Sequence, residues 1–333
     1  MSGNGGVCKS EQRHGDVADY GRCGYAEYVS VDIHTANIGK NIEIFHYICD
    51  MIQFVNAKIN LGLRVLRKRP DGYHDLSTVF YPIGVRSGTA ADSGRLADVL
   101  EITCAEADSL RIDGNVPDCA PEQNLVWKAL LLFRELYPAC PPVQLCLDKH
   151  IPSQAGLGGG SADASFTLKL LNELCGCPLS EEQLLAAALR LGADCPFFIL
   201  DRPCVAGGVG EKLTPIDLDL SGYWAAVVKP DAGIGTAQAF RGITPAFPEV
   251  SVEDVVSLAV EEWRGLLVND FETSAFAIHP EFRKIKECLY VHGALYASMS
   301  GSGSSFFGIF RNREEAEQAA KASAQPFSTV TSL

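Results

Sequence analysis

A glycine-rich run at residues 151–165 constrains this chain more than any other feature of its sequence. It reads Ile-Pro-Ser-Gln-Ala-Gly-Leu-Gly-Gly-Gly-Ser-Ala-Asp-Ala-Ser, and a stretch with helical spacing follows at once. Glycine permits positive φ and lets backbone amides approach an anion, and Ser161 can cap the following helix. We therefore predict a phosphate-binding loop, with an ordinary turn or linker as the alternative. A Walker-type loop is excluded, because no Lys-Ser or Lys-Thr follows the glycines.

Composition limits the partners and the compartment. The chain has 333 residues, 47% of them hydrophobic, which is enough for two packed domains or one large one. A net charge of -13 argues against a nucleic-acid partner, and no apolar run is long enough to span a bilayer. The 12 cysteines are scattered without a Cys-x-x-Cys pair, so neither a zinc site nor a disulfide framework is indicated. These features favour a globular cytoplasmic protein with reduced thiols.

The first 50 residues differ from the rest in composition. They mix Gly, Ser, Asp and His with isolated aromatic residues, and they show neither a signal peptide nor the acid-poor character of a transit segment. A strand-like run begins at Met51. We expect the folded enzyme to start there, with residues 1–50 as a disordered extension or a misassigned start. A small accessory element at residues 41–51 is the alternative.

Hydrophobic spacing predicts the order of helices and strands. The predicted strands are residues 52–55 and 59–66, separated by a polar break at 56–58, and then 76–85, 98–104, 143–147, 223–228 and 306–310. Helices are predicted at residues 124–137, 252–267, 281–290 and 313–322. A further helix is predicted from Ser161 to its end at Gly176, and another from a capping box at Ser180 through Leu191. Asp194 lies just past a helix end in an apolar neighbourhood, where the usual role of aspartate is a cap or a turn.

Three separated segments of the sequence together resemble the motifs of a known family. Asn-Ala-Lys-Ile-Asn-Leu begins at Asn56, Pro-x-x-x-Gly-Leu-Gly-Gly-Gly-Ser begins at Pro152, and Ser-Gly-Ser-Gly-Ser begins at Ser300. Their order, spacing and content are similar to the three motifs of the GHMP kinases, named for galactokinase, homoserine kinase, mevalonate kinase and phosphomevalonate kinase. The resemblance covers residues 51 to about 320.

The resemblance implies an α+β fold of two domains with the active site in the cleft between them. The N-terminal ATP-binding domain, of the kind found in domain 2 of ribosomal protein S5, would span residues 51–205. The ferredoxin-like C-terminal domain would span residues 206–333.

The resemblance also assigns the phosphoryl-transfer chemistry. Asp194 would accept the proton of the acceptor hydroxyl, or position that hydroxyl, and Lys58 would keep the carboxylate ionised and steady the transferred oxygens. Mg²⁺ would accompany ATP, with the Ser161 hydroxyl as the candidate ligand. Asn124 would either bound the nucleoside pocket or cap a helix. The expected ATP-binding residues are Pro152, Ser153, Gln154, Ala155, Gly156, Leu157, Gly158, Gly159, Gly160, Ser161 and Ala162.

A further segment, Arg-Pro-Asp-Gly-Tyr-His from Arg69, resembles one branch of the family. The members of that branch phosphorylate the 2-hydroxyl of a methylerythritol linked to cytidine diphosphate, in the non-mevalonate route to isoprenoid precursors. The resemblance implies that Tyr73 stacks on the cytosine, that His74 hydrogen-bonds its polar edge and that Phe240 covers the other face. The remaining expected substrate-binding residues are Asn60, Thr236, Gly301 and Gly303.

Two alternative functions remain. One is another GHMP small-molecule kinase, of the homoserine or mevalonate type, against which the segment from Pro70 to His74 argues. The other is a non-catalytic nucleotide-binding relative, which the presence of both Lys58 and Asp194 disfavours. The segment Ser153-Gln154-Ala155 departs from the bulkier residue and additional glycine that many relatives have there. We expect a monomer or weak homodimer that binds neither nucleic acid nor membrane.

Overall fold

A computed structural model describes residues 51–84, 96–115 and 120–333 of the chain. The predictions for residues 1–50 therefore lie outside the described residues.

The described strands form two sheets. The strands are β1 (Met51–Lys68), β2 (His74–Ile83), β3 (Ala97–Cys104), β4 (Ser109–Gly114), β5 (Val143–Lys149), β6 (Cys204–Gly208), β7 (Lys212–Pro215), β8 (Trp224–Lys229), β9 (Tyr296–Met299), β10 (Phe306–Phe310) and β11 (Phe327–Ser332). Within the described chain, the first sheet has the order β4-β5-β3-β1-β2-β6-β7, and the second has the order β11-β8-β10-β9. The first sheet thus extends to Pro215, past the domain boundary expected at residue 205.

Strand β1 is continuous over 18 residues, so the prediction of two strands with a break at 56–58 is wrong. Its first part pairs with β3 and its later part with β2, both antiparallel. The polar residues do not interrupt it, because their side chains have partners inside the protein. Asn56 Nδ2 donates to Asp201 Oδ1 at 2.8 Å, and Lys58 Nζ donates to Asn60 Oδ1 at 2.6 Å.

The described α-helices cover the first sheet and the outer face of the second. They are α1 (Leu125–Leu136), α2 (Gly159–Leu174), α3 (Glu181–Leu191), α4 (Cys195–Leu200), α5 (Thr236–Arg241), α6 (Val252–Val256), α7 (Phe271–Ile278), α8 (Glu281–Val291) and α9 (Arg313–Ala322). The capping box at Ser180 is confirmed, and Asn124 accepts from Val126 N as the cap of α1. Sequence spacing missed the short α4, α5 and α7 and the strands β4, β6, β7, β9 and β11.

Two helix predictions are corrected. Helix α2 begins at Gly159 with Gly158 as its N-cap, so Ser161 lies in the first turn and does not cap the helix. Gly158 takes φ = 75°, which a serine would adopt only with strain. The single helix predicted over 252–267 is instead α6, an extended residue at Ala259 and a 3₁₀ turn at Val260–Glu262. This break lets Trp263 become fully buried.

The hydrophobic core determines where the two sheets meet. One cluster packs α1 and α2 on the first sheet, and it includes Phe133 and Leu168. A second cluster joins β1 and β2 to the second sheet, and Ile59, Val227 and Phe307 belong to it. This shared cluster holds the loop after β9 beside the glycine-rich loop before α2. In the described part of the chain, no helix is both long and apolar enough to cross a membrane.

Candidate active site

The glycine-rich loop and the loop after β9 are joined by hydrogen bonds between backbone and serine groups. Ser300 Oγ donates to the carbonyl of Gly156 at 2.8 Å, and the amide of Ser305 donates to the carbonyl of Ala155 at 3.1 Å. Gly156 has φ = 74°, and a Cβ there would lie 2.0 Å from the Ser300 carbonyl oxygen. Only glycine permits this approach of the two loops. Two of the three predicted motifs therefore meet in the structure.

A cavity of about 360 Å³ lies over the glycine-rich loop and the start of α2. Its lining consists of Gln123, Asn124, Leu125, Lys149, Pro152, Ser153, Gln154, Ala155, Gly156, Gly158, Gly159, Gly160, Ser161 and Asp163. Of the expected ATP-binding residues, Leu157 and Ala162 are buried beneath this surface. The N-terminus of a 16-residue helix carries a partial positive charge and unpaired amides, which suit a phosphate group. Asn124 is thus both the cap of α1 and part of the cavity wall.

Lys58 lies next to the loop in the interior. The residue is 3% exposed, and its backbone amide donates to the carbonyl of Leu157 at 2.9 Å. The ammonium contacts Asn60, lies 4.8 Å from the centre of the Phe80 ring and lies 3.6 Å from Asp194 Oδ2. Burial lowers the pKa of Lys58, and the negative charge of Asp194 opposes that shift. The expected pair of Lys58 and Asp194 is therefore in contact.

Asp194 occupies the short connection between α3 and α4. Although it stands at the N-cap position of α4, its side chain forms no capping hydrogen bond with that helix. The side chain is 36% exposed, so the carboxylate reaches both Lys58 and solvent. Asp194 therefore does not cap a helix, and its carboxylate is available to a ligand.

Asn60 is almost fully buried at 1% exposure, and it orients Lys58. Its Oδ1 accepts from Lys58 Nζ, while its Nδ2 donates to Thr78 Oγ1 at 3.0 Å. Its backbone amide donates to Ser300 Oγ at 3.3 Å. The substrate contact expected of Asn60 stays a prediction, since both ends of its amide are already used by protein groups. Gly301 lies beside this amide: a Cβ added there would be 3.3 Å from Asn60 Oδ1.

The residues expected to bind cytosine lie on more exposed elements. Tyr73 is 65% exposed on the turn between β1 and β2. The rings of His74 and Phe240 are stacked, with centroids 4.6 Å apart and planes at 18°. One face of Phe240 is therefore covered by His74 rather than open opposite Tyr73. Thr236 Oγ1 lies 3.5 Å from Ser302 Oγ, which brings the start of α5 to the loop that contains Gly301 and Gly303.

Sequence reasoning missed several residues that support the site. Thr78 and Phe80 of β2 contact the Lys58–Asn60 pair, and Lys149 and Asp163 line the cavity. Thr78 and Phe80 are brought to Lys58 and Asn60 by the pairing of β2 with β1, and a single sequence carries no signal for the register of that pairing. Asn269 holds the loop after β9 by donating to the carbonyls of Met299 and Gly301 at 2.7 and 2.9 Å.

Comparison with known proteins agrees with the motifs and the fold. The model of the GHMP kinase N-terminal domain matches residues 124–202, and the model of the GHMP kinase C-terminal domain matches residues 249–328. A curated protein of Parabacteroides distasonis is 49% identical over 260 residues, which cover 78% of this chain and 92% of that protein. The chain belongs to the GHMP kinase family. The α+β two-domain fold expected from the motifs is thereby confirmed.

Relatives of this GHMP kinase carry consistent names. The Parabacteroides distasonis protein is named 4-diphosphocytidyl-2-C-methyl-D-erythritol kinase, as is one of Bacteroides thetaiotaomicron that is 50% identical over 269 residues, covering 78% of this chain and 92% of that protein. A crystal structure of 4-(cytidine 5'-diphospho)-2C-methyl-D-erythritol kinase superposes with a TM-score of 0.70 at 33% identity, covering 85% of this chain and all of that one. The mevalonate kinase of Methanococcus jannaschii, at 12% identity and a TM-score of 0.59, covers 85% of this chain and 98% of that one and shares the fold.

Proposed function

We propose that this GHMP kinase transfers the γ-phosphoryl group of ATP to the 2-hydroxyl of 4-diphosphocytidyl-2-C-methyl-D-erythritol, giving the 2-phosphate and ADP. This reaction belongs to the methylerythritol phosphate pathway of isoprenoid precursor synthesis. The observation that carries the proposal is the contact of Lys58 with Asp194 beside the glycine-rich loop, in a chain whose 48–50% identical relatives carry this kinase name.

ATP would bind with its phosphates over the glycine-rich loop. The backbone amides from Gly156 to Ser161 and the N-terminus of α2 supply donors and positive potential without a lysine in the loop. The cavity beside Asn124 offers room for the nucleoside. Because the loop is already fixed to Ser300 and Ser305, little reordering is needed when the triphosphate arrives.

Asp194 and Lys58 would act on the acceptor hydroxyl. The partly exposed Asp194 carboxylate would accept the hydroxyl proton, or aim the oxygen at the γ-phosphorus as the P–O bond to ADP breaks. The Lys58 ammonium, held by Asn60, stabilises the carboxylate and the charge on the transferred oxygens. Phosphoryl transfer passes through a loose transition state, so positioning and charge are worth more than strong activation of the nucleophile.

Mg²⁺ would enter with ATP and neutralise charge on the β- and γ-phosphates. Among the described residues, no group of three or more His, Cys, Asp or Glu side chains could hold a metal ion. The Ser161 hydroxyl lines the cavity and is a hard oxygen donor of the kind that Mg²⁺ prefers. The donor set therefore fits an ion carried mainly by phosphate oxygens and water, with Ser161 as its protein ligand.

Acceptor specificity would come from the exposed side of the cleft. Tyr73 offers a free aromatic face to the cytosine, and His74 offers a donor and an acceptor to its polar edge. For Phe240 to cover the opposite face of the base, the His74 ring would turn away from the stack that it now forms with Phe240. Thr236, Gly301 and Gly303 would border the diphosphate and the methylerythritol.

The domain limits and the compartment complete the proposal. We assign residues 51–205 to the ATP-binding domain and 206–333 to the C-terminal domain, with β6 and β7 completing the first sheet across this boundary; family models that match on either side support the division. The described cysteines form no disulfide, which supports a cytoplasmic enzyme with reduced thiols.

Coupled ADP release tests the function. Purified protein with Mg-ATP is offered 4-diphosphocytidyl-2-C-methylerythritol, homoserine, mevalonate and galactose as separate acceptors. We expect turnover with the cytidyl compound alone. Turnover with another acceptor would replace the proposed substrate, and ATP binding without turnover on any of the four would leave a non-catalytic nucleotide-binding protein.

A further inference from the structure

Behind the glycine-rich loop lies a buried charge cluster of Asp98, Lys149 and Asp163. Their exposures are 0%, 4% and 3%. Lys149 Nζ donates to Asp98 Oδ2 and, at 2.6 Å, to Asp163 Oδ2. Three charged side chains are seldom placed so deep in a protein without a specific purpose, because removing each from water is costly.

The cluster joins the two ends of the glycine-rich loop. Asp98 Oδ1 accepts from the backbone amides of His150 at 2.6 Å and Ile151 at 2.8 Å, which are the last residues before the loop. Asp163 belongs to the second turn of α2, directly after the loop. Lys149 bridges these two carboxylates, so the spacing between strand β5 and helix α2 depends on its ammonium.

The ammonium also supports the first turn of α2. A Cβ added to Gly159 would lie 3.3 Å from Lys149 Nζ, so the lysine fills the space directly behind the amides that face the cavity. Both Lys149 and Asp163 line the cavity, whereas Asp98 is not among its lining residues. Any effect of Asp98 on a nucleotide must therefore be transmitted through the loop or through Lys149.

The environment of the cluster shifts the pKa of two of its members. Burial by itself would lower the pKa of Lys149, but the two carboxylates outweigh that effect and raise it. Burial raises the pKa of Asp163 well above its usual range. Asp163 Oδ1 has no hydrogen-bond partner among the described residues, so Asp163 is the least completely hydrogen-bonded member of the cluster.

The opposite end of β5 offers an internal comparison. There Asp108 accepts from Arg134 and, at 2.9 Å, from the backbone amide of Val143. This pair resembles the Asp98 cluster in chemistry, since each aspartate holds a cation and a strand amide. It lies at the far end of the strand from the glycine-rich loop, and neither of its members lines the cavity.

We propose that Asp98, Lys149 and Asp163 form a positioning cluster that holds the glycine-rich loop in its phosphate-binding geometry and thereby sets the affinity for ATP. This inference rests on the proposed function in one respect, that the loop binds the phosphates of ATP. The three residues are positioning residues, since their effect passes through the backbone amides of the loop.

Asp98→Asn is the decisive variant. Asparagine keeps an oxygen for the two backbone amides but turns an amide toward Lys149, so the Asp98–Lys149 bond is lost and the two ends of the loop are no longer joined through the ammonium. Losing a charged hydrogen bond predicts that the KM and Kd for ATP rise about tenfold, while the KM for the acceptor stays within about twofold. The control is Asp108→Asn, at a more exposed ion pair outside the cavity, which should leave the KM for ATP within about twofold.

The triple variant Asp98→Asn, Lys149→Met and Asp163→Asn separates positioning from stability. It leaves no charged group in the buried cluster, so the melting temperature should recover toward that of the unaltered protein. We expect the Kd for ATP to stay raised, because the bridge to α2 is still missing. Recovery of both quantities together would mean that the cluster only stabilises the fold, and would overturn the inference.

The outcomes distinguish this inference from the proposed function. An unaltered protein that binds ATP but turns over no acceptor would contradict the proposed function and leave the cluster testable by the Kd for ATP. An active unaltered protein, together with a folded Asp98→Asn variant whose Kd for ATP is unchanged, would refute the cluster alone.

Discussion

The two sides of the active site are built differently. On the nucleotide side, the glycine-rich loop is fixed to the loop after β9 by backbone groups, and Lys58 beside it is 3% exposed. On the side proposed to hold the cytosine, called the base side, Tyr73 is 65% exposed on a turn. Thr236 Oγ1 lies 3.5 Å from Ser302 Oγ at the surface there. The nucleotide side is formed before any ligand binds, whereas the base side consists of side chains that a ligand can still rearrange. Substitutions on the two sides should therefore differ in their effects on stability and on ligand binding.

The largest effect is expected from the proposed catalytic pair, Lys58 and Asp194. Lys58→Met or Asp194→Asn removes the charge that faces the transferred phosphoryl group, and kcat should fall by about a thousandfold or more. The matched control is Lys68→Met, on the same strand but exposed at its end, which should leave kcat unchanged. Steady-state ADP release measures both. A Lys58→Met enzyme that keeps most of its turnover would remove Lys58 from the mechanism.

Next in size is the effect of a methyl group in the glycine-rich loop. Gly156→Ala places a Cβ 2.0 Å from the Ser300 carbonyl at φ = 74°, so the two loops must separate, which costs about 2–4 kcal/mol of unfolding free energy. Gly160→Ala is the control in the same loop, because its Cβ meets only Leu125 Cδ1 at 3.8 Å. Thermal unfolding should show a large loss for the first and almost none for the second. Equal melting temperatures would mean that the nucleotide side is less rigid than the contacts indicate.

The sequence revealed the nucleotide side better than the rest. The glycine run is local, so its role and the helix that follows could be predicted, although Ser161 was wrongly assigned as the cap because Gly158 can take a left-handed conformation that serine cannot easily adopt. Lys58 was placed in a polar break of β1, although its ammonium donates to Asn60 on the same strand. Thr78, which accepts from Asn60, is brought there only by the pairing of β1 with β2. The contact of Lys58 with Asp194 followed from family resemblance and from no local pattern.

For the base side, the sequence predicted which residues take part but not how their side chains are arranged. Sequence resemblance named Tyr73, His74 and Phe240, while the stacking of His74 on Phe240 depends on how β2 and α5 pack in three dimensions. The short α5 itself escaped detection, because six residues are too few to show helical periodicity.

A smaller and more selective effect is expected from Tyr73→Ala. Losing one base-stacking face costs about 1–3 kcal/mol, so the KM for the cytidyl acceptor should rise about fivefold to 150-fold. The melting temperature and the KM for ATP should not change, because the ring is largely exposed. Phe247→Ala, which removes another exposed ring that is 72% accessible, serves as the control and should leave all three quantities unchanged. A fall in stability with Tyr73→Ala would assign this ring to the fold instead.

The smallest expected effect is a shift in the pH profile. Burial lowers the pKa of Lys58 from 10.5, so the ammonium loses its proton at a lower pH than an exposed lysine would. Because the proposed mechanism uses the charged form, kcat should decline as the pH rises through this lowered pKa. The residual activity of Lys58→Arg should lack that decline, because a guanidinium stays protonated. An alkaline decline shared by both enzymes would belong to another group.

The folded protein disfavours the charged form of Lys58, so the stability contribution of this group has a definite sign. It is present in full above the unfolded pKa and is lost as the pH falls through the folded pKa. Lys58→Met should therefore be no less stable than the unaltered protein at neutral pH, although it is inactive. Urea unfolding of the two proteins at neutral pH would show this, and a clear loss of stability in the variant would contradict it.

The most direct measurement is a crystal structure of the protein with a non-hydrolysable ATP analogue and 4-diphosphocytidyl-2-C-methylerythritol. We expect the triphosphate on the amides from Gly156 to Ser161, the 2-hydroxyl within hydrogen-bond distance of Asp194, and the cytosine against Tyr73, with the nucleotide side unmoved and the His74 ring turned. An acceptor hydroxyl bound away from Asp194, or a triphosphate away from the glycine-rich loop, would contradict this expectation.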